Sequence, residues 1–172
     1  MDRRIAIVGA PTSIGIRPYD SGETRHLDRA PGVLRELGLV ERLGAADLGD
    51  VIPLPYRDYV RPPGRARNEA EVTAYCRALG ERVGSATGDG GFAVVLGGDC
   101  SIVLGSLLGA RGSAQGSVGL VYVDAHADFA TPESPTPVPS PACASGLPSV
   151  EARPRWLGSP GTNLSCMASM SW

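Results

Sequence analysis

The sequence predicts an α/β fold with a parallel sheet and helices layered against it. Three observations lead there. Short β-branched runs alternate with helical patterns up to Ala130. The runs are continuously apolar, as in strands buried on both faces of a parallel sheet. Polar residues able to do chemistry follow directly after two of those runs, at the strand ends where open α/β sheets bind ligands. The chain has 172 residues, 42% hydrophobic and 20% charged, enough for one domain with a sizeable core and short for two.

Ile5-Ala6-Ile7-Val8-Gly9-Ala10 reads as a buried strand that ends in a Pro-containing loop. Pro31–Leu43 reads as one amphipathic helix, because Val33, Leu34, Leu37, Val40 and Leu43 fall on one face. Pro31 suits its first turn. A second strand is expected around Val51-Ile52, followed by a loop from Pro53 to Gly64. Ala66–Ser85 is the longest helical candidate, with an apolar stripe of Val72, Tyr75, Cys76, Leu79 and Val83. Gly84–Gly91 reads as a turn. Phe92–Leu96 is the next buried strand, Ser101–Ala110 a helix with Ser101 at its cap or first turn, and Val118–Val123 a further strand.

The last 42 residues differ in kind. Residues 131–172 hold eight of the fifteen prolines, many serines and four charged groups, with no helical or strand period. Such a segment buries too little apolar surface to offset its ordering entropy, so an irregular tail is expected. The abrupt change after Phe129 resembles a shift of reading frame. The expected organisation is a partial α/β domain over 1–130 and a Pro/Ser-rich tail over 131–172.

Net charge is −2, so no basic field is expected to hold nucleic acid or an anionic membrane. No apolar run reaches the ~20 residues of a membrane span, and no signal-peptide pattern opens the chain, so a cytoplasmic protein is expected. Cys76, Cys100, Cys143 and Cys166 are far apart, which argues against zinc-ribbon spacing. All sixteen basic residues are Arg, which fits a GC-rich coding sequence better than a function.

Two clusters carry chemistry. Gly97-Gly98-Asp99-Cys100-Ser101 follows one strand, and Asp124-Ala125-His126-Ala127-Asp128 follows another. Asp124 and His126 are two apart and project from the same side of extended chain. Two carboxylates and an imidazole converging on one space favour a cation between them. Mixed oxygen and nitrogen donors suit Mn(II), Fe(II), Co(II) or Zn(II). The plainer alternative is a polar turn. In the first cluster the glycines allow a sharp turn and close backbone approach. Asp99 is suited to orienting a neighbour. Cys100 is either a soft metal donor or a packed, inert thiol. His26 lies in a loop without companion ligands and reads as exposed surface, and Cys76 reads as core.

Gly-Gly-Asp-x-Ser after an apolar strand, then Asp-Ala-His-x-Asp about 25 residues later, resembles the arginase/agmatinase (ureohydrolase) family. The strand Ile5–Val8 and the stretch Ala30–Leu39 fit that family's opening βα unit, and the resemblance covers roughly residues 1–130. It implies a three-layer α/β/α fold, truncated here, and a binuclear manganese centre that activates water against a guanidinium carbon to give urea and an amine. Carried over, Asp124 matches a bridging carboxylate, and His126 and Asp128 match metal ligands with catalytic roles. Cys100 stands where the family has a histidine ligand. The family's later Ser-x-Asp-x-Asp motif is absent, since no aspartate follows Asp128.

From this follow an expected small guanidino substrate, at most one weakly bound Mn2+, impaired activity and an open question of homo-oligomer formation. The competing expectation is a non-catalytic remnant or interaction module with the same half-fold. A layered amidohydrolase acting on an acylated amine is disfavoured by Gly-Gly-Asp-x-Ser.

Overall fold

The computed structural model describes residues 3–57, 68–114, 118–121 and 165–166. Strand β1 spans Ile5–Ala10, helix α1 Ala30–Glu36, helix α2 Leu39–Leu43 and strand β2 Ala46–Asp50. Helix α3 follows over Glu69–Thr87, then strand β3 (Phe92–Gly97) and helix α4 (Ile102–Ser113). Two-residue strands β4 (Gly119–Leu120) and β5 (Ser165–Cys166) pair in parallel with each other.

Strands β2, β1 and β3 form a parallel sheet in that order. The chain steps from β1 outward to β2, then returns across β1 to β3. With right-handed crossovers, this reversal puts α1 on one face and α3 with α4 on the other. Ala6, Val8 and Ala10 on one side of β1 pack with Tyr75, Leu79, Val83 and Ala86 of α3. Ile7, completely buried, alternates to the opposite side. Ile14, Val72, Cys76 and Leu104 form a smaller cluster beyond the carboxyl end of β1. The α/β class with a parallel sheet is as the sequence predicts.

The stripe Val72, Tyr75, Cys76, Leu79 and Val83 is buried as its spacing predicts. Tyr75 adds a polar tie: its hydroxyl donates to the Val51 carbonyl at 2.8 Å. Helices α3 and α4 approach at small residues. A Cβ on Gly105 would stand 2.9 Å from the Cys76 carbonyl oxygen, so only a glycine fits unless the helices move apart.

Four expectations are corrected. The single helix over Pro31–Leu43 is two helices, because Gly38 adopts φ +78 and ends the first one. Its N–H and that of Leu37 close the last turn onto Arg35 and Val33. The break disperses the expected stripe, leaving Val33 and Leu37 on the surface.

Strand β2 lies earlier than Val51-Ile52. Val51 is buried just past its end, donating to Gly9, while Ile52 is exposed. The strand sequence Ala-Asp-Leu-Gly-Asp is tolerated because Arg35 of α1 pairs with both acids. Its guanidinium meets Asp47 at 2.7 and 3.0 Å and Asp50 at 2.7 Å.

The expected turn over Gly84–Gly91 begins only at Gly88. Helix α3 continues to Thr87, whose hydroxyl bonds the Val83 carbonyl and the Ser113 hydroxyl.

Finally, β3 is not buried on both faces. Phe92 is half-exposed, and among the described residues β3 pairs only with β1. Of the expected strand Val118–Val123, the structure describes residues 118–121, with strand pairing at Gly119–Leu120 and Val121 exposed. Apart from Ser165–Cys166, the tail 131–172 lies outside the described residues. No described helix is long and apolar enough to cross a membrane.

Candidate functional site

The order in which strands are added reverses between β1 and β3, so a crevice is expected at the carboxyl ends of these two parallel neighbours. Two loops meet there. One is Pro11–Ile16, leaving β1. The other is Gly98–Ser101, leaving β3 and entering α4.

Gly98 sets how close they come. A Cβ there would lie 2.5 Å from the Thr12 carbonyl oxygen, 2.6 Å from that of Ala10 and 2.8 Å from the Thr12 nitrogen. Real side chains do not tolerate such distances, so the close backbone approach expected of Gly97-Gly98 is observed at Gly98.

Asp99 then locks the two loops together. Its N–H donates to the Thr12 carbonyl at 3.0 Å. Its carboxylate accepts the Gly15 N–H at 3.0 Å and the Ser101 N–H at 2.9 Å. The side chain is buried, and burial pushes its pKa up against the lowering effect of the Ser101 hydroxyl and these N–H donors. Both oxygens are engaged by the protein itself. Asp99 is therefore an orienting acceptor for the turn, as its position in the sequence suggests, and not a spare metal donor.

Cys100 is carried between Asp99 and Ser101 and is half-buried. Ser101 precedes α4 at the cap position, but its side chain caps nothing; the Asp99 carboxylate serves the Ser101 N–H instead. Cys76 is the inert thiol. It is fully buried, donates to the Ser101 carbonyl at 3.3 Å, and burial pushes its pKa up to about 12. His26 is exposed, 3.8 Å from Glu23, as expected of a surface loop.

Asp124, His126 and Asp128 lie outside the described residues. Among the described residues, no group of three His, Cys, Asp or Glu is arranged to hold a metal. The donor chemistry can still be weighed. Two carboxylates and an imidazole fit a borderline divalent ion such as Mn(II). A Cys100 thiolate is softer and fits Mn(II) poorly.

Sequence reasoning missed two members of this edge. Asn68, buried at φ +50, donates its Nδ2 to the Ile14 carbonyl at 2.9 Å and to the Arg57 carbonyl at 3.2 Å. It thus ties the loop after β1 to the segment after β2. Ser13, in the same loop, has a buried hydroxyl without a hydrogen-bond partner among the described residues. The only sequence signal for either was the polar loop Pro11-Thr12-Ser13 at the end of an apolar strand.

The model of the arginase family matches residues 3–145, a span that contains both chemical clusters. The chain belongs to the arginase family. It is 32% identical over 139 residues to human arginase-1, covering 78% of this chain and 41% of that protein. Against the arginase of Bacillus caldovelox it is 36% identical over 132 residues, covering 72% and 44%.

The solved structure of Bacillus caldovelox arginase superposes with a TM-score of 0.69 at 30% identity, covering 83% of this chain and 47% of that one. Bacillus subtilis arginase gives 0.62 at 28%, covering 83% and 46%. The arginase fold assigned from sequence is therefore shown. The chain spans about two-fifths of the length of these curated relatives.

Proposed function

We propose that this arginase-family chain is built for metal-dependent hydrolysis of a guanidino compound, such as arginine or agmatine, to urea and an amine. The observation that carries the reading is the family match over residues 3–145, whose span includes Gly-Gly-Asp-Cys-Ser and Asp-Ala-His-Ala-Asp. The two loops that Asp99 joins lie at the sheet's carboxyl edge, where such a fold binds small ligands, and this supports the reading.

Asp124, His126 and Asp128 would hold a divalent ion, with Mn2+ the family's choice and Cys100 a poor fourth donor. The ion, when bound, supplies Lewis acidity and a nucleophile at neutral pH. His126 and Asp128 would in addition orient water and substrate. The Asp99 latch keeps the adjoining turn in place.

Four protein donors are few for two ions, and no aspartate follows Asp128. The chain as it stands is therefore proposed to hold at most one ion, weakly, and to turn over little substrate. Its proposed partner is the small guanidino substrate, and its proposed location the cytoplasm. Urea release from arginine and agmatine, with and without added manganese, tests the reading. Manganese-dependent release that disappears in His126→Ala supports it. Manganese-independent release, or release unchanged by that substitution, overturns it.

A further inference from the structure

The two edges of the main sheet are unlike. At one, β2 reads Ala-Asp-Leu-Gly-Asp, with two acids, a register shift against β1 and Gly49 at φ +73. Charges and irregularities of this kind keep an edge from pairing with another strand. At the other, β3 reads Phe-Ala-Val-Val-Leu-Gly, in unbroken register with β1 and without charge or proline. Among the described residues no strand lies beyond it. Phe92 donates its N–H inward, to the Arg4 carbonyl at 2.9 Å. Strand backbone alternates, so the N–H and C=O groups of Ala93 and Val95 turn outward along that edge.

The face beside this edge is apolar too. Phe92, Val94 and Leu96 stand in register with Ile5, Ile7 and Gly9, and so share their face of the sheet. Helix α1 covers that face, with Arg35 lying beside Gly9 and packing of the helix against β3. Arg35 reaches toward β2. At about 100° per residue, Val33 and Leu37 lie on the opposite flank of the helix, toward β3. Phe92 is 50% exposed, Val33 49% and Leu37 66%. Strand edge and helix flank together make an apolar step open to solvent.

We infer that this edge is the interface for a second copy of this chain, the two β3 strands pairing antiparallel about a two-fold axis normal to the sheet. Strand β3 is its own complement in that arrangement. The axis keeps each face on its own side, so even-numbered residues oppose even-numbered ones. Centred on Val94, the pairing sets Val94 against Val94 and Phe92 against Leu96, while the outward groups of Ala93 bond those of Val95. Each pair is apolar, and none brings like charges together. A net charge of −2 adds little repulsion between copies. A charged partner would find no opposite charge on this strand to select it. The flanks of the two α1 helices face one another across the axis, on the same side of one continuous sheet.

Sedimentation equilibrium of the full chain at micromolar concentration tests this, with far-UV circular dichroism as the check of folding. Two chains per particle are expected. Phe92→Lys places a charge on the edge, and Ala93→Pro removes an outward N–H where an edge strand tolerates proline. Either should halve the mass while the circular dichroism spectrum is kept, and Phe92→Lys decides if Ala93→Pro does not fold. Ala46→Lys, at an exposed position of β2 on the other edge, should leave the two chains together. One chain per particle in the unsubstituted protein overturns the inference and means that the edge stays bare or is covered by the chain itself. Open-ended aggregates without a two-chain species, a dimer that survives Phe92→Lys, or one that Ala46→Lys also splits, overturn it equally.

Discussion

The Asp99 carboxylate accepts the backbone N–H of Gly15 at 3.0 Å, across 84 positions of sequence. With the Ser101 N–H on its other oxygen, one buried side chain fixes the geometry of two loops at the carboxyl edge of the sheet. Removing it leaves both N–H groups without their acceptor. Asp99→Ala should therefore lower stability by about 2–6 kcal/mol, at roughly 1–3 kcal/mol for each of the two buried orphan donors. Asp99→Asn keeps one acceptor oxygen and should lose less. Urea denaturation midpoints of the two variants check the order.

Arg35 ties α1 to β2 through Asp47 and Asp50. The hydrogen bonds from Arg35 hold the Asp47 carboxyl below its usual range. A lowered folded-state pKa contributes stability that is present above the ordinary carboxylate pKa of about 3.9 and is lost as pH falls through the folded value. The urea midpoint should thus drop on acidification below about pH 4. Arg35→Met should weaken that drop while lowering stability at neutral pH. A drop of equal size in Arg35→Met would contradict this assignment.

Cys76 should resist alkylation. Its thiol is fully buried and pushed up to about 12, so at pH values below that range the reactive thiolate is scarce and hidden. Mass spectrometry after iodoacetamide treatment of the folded chain should find Cys76 unmodified, and modified once denaturant is added. Ready labelling of Cys76 in the folded chain would place it elsewhere than the α3–α4 contact.

The approach of α3 to α4 gives a packing prediction. A Cβ at Gly105 meets the Cys76 carbonyl oxygen at 2.9 Å and Leu79 at 3.0 Å. Gly105→Val should force the helices apart and cost about 1–3 kcal/mol or more, as overpacked sites do. A thermal melt measures it.

Much of this architecture is legible in sequence where local periodicity decides the outcome. The stripe from Val72 to Val83 and the strand from Ile5 are of that kind, because apolar spacing and burial are the same fact seen twice. Legibility fails where a contact across the fold overrides local pattern. Strand β2 reads as too polar until Arg35 is known to neutralise Asp47 and Asp50. The helix after Pro31 reads as continuous because a glycine inside an apolar period looks tolerated, whereas Gly38 takes a left-handed turn.

At the candidate site, the Gly-Gly-Asp turn was legible as a close-packed device with an orienting acid. The partners of Asp99 were not, since Thr12 and Gly15 carry no signal that names their distant partner. The tie made by Asn68 depends on contacts with Ile14 and Arg57 that its neighbours in sequence do not announce. The placement of Asp124, His126 and Asp128 lies outside the described residues.

The account stands on the capacity of Asp124, His126 and Asp128 to grip a divalent cation. Calorimetric titration of manganese into the full chain measures it directly. The expected result is one weakly bound ion per chain, lost in His126→Ala. Binding of two tight ions, no binding at millimolar manganese, or binding indifferent to His126→Ala would contradict it.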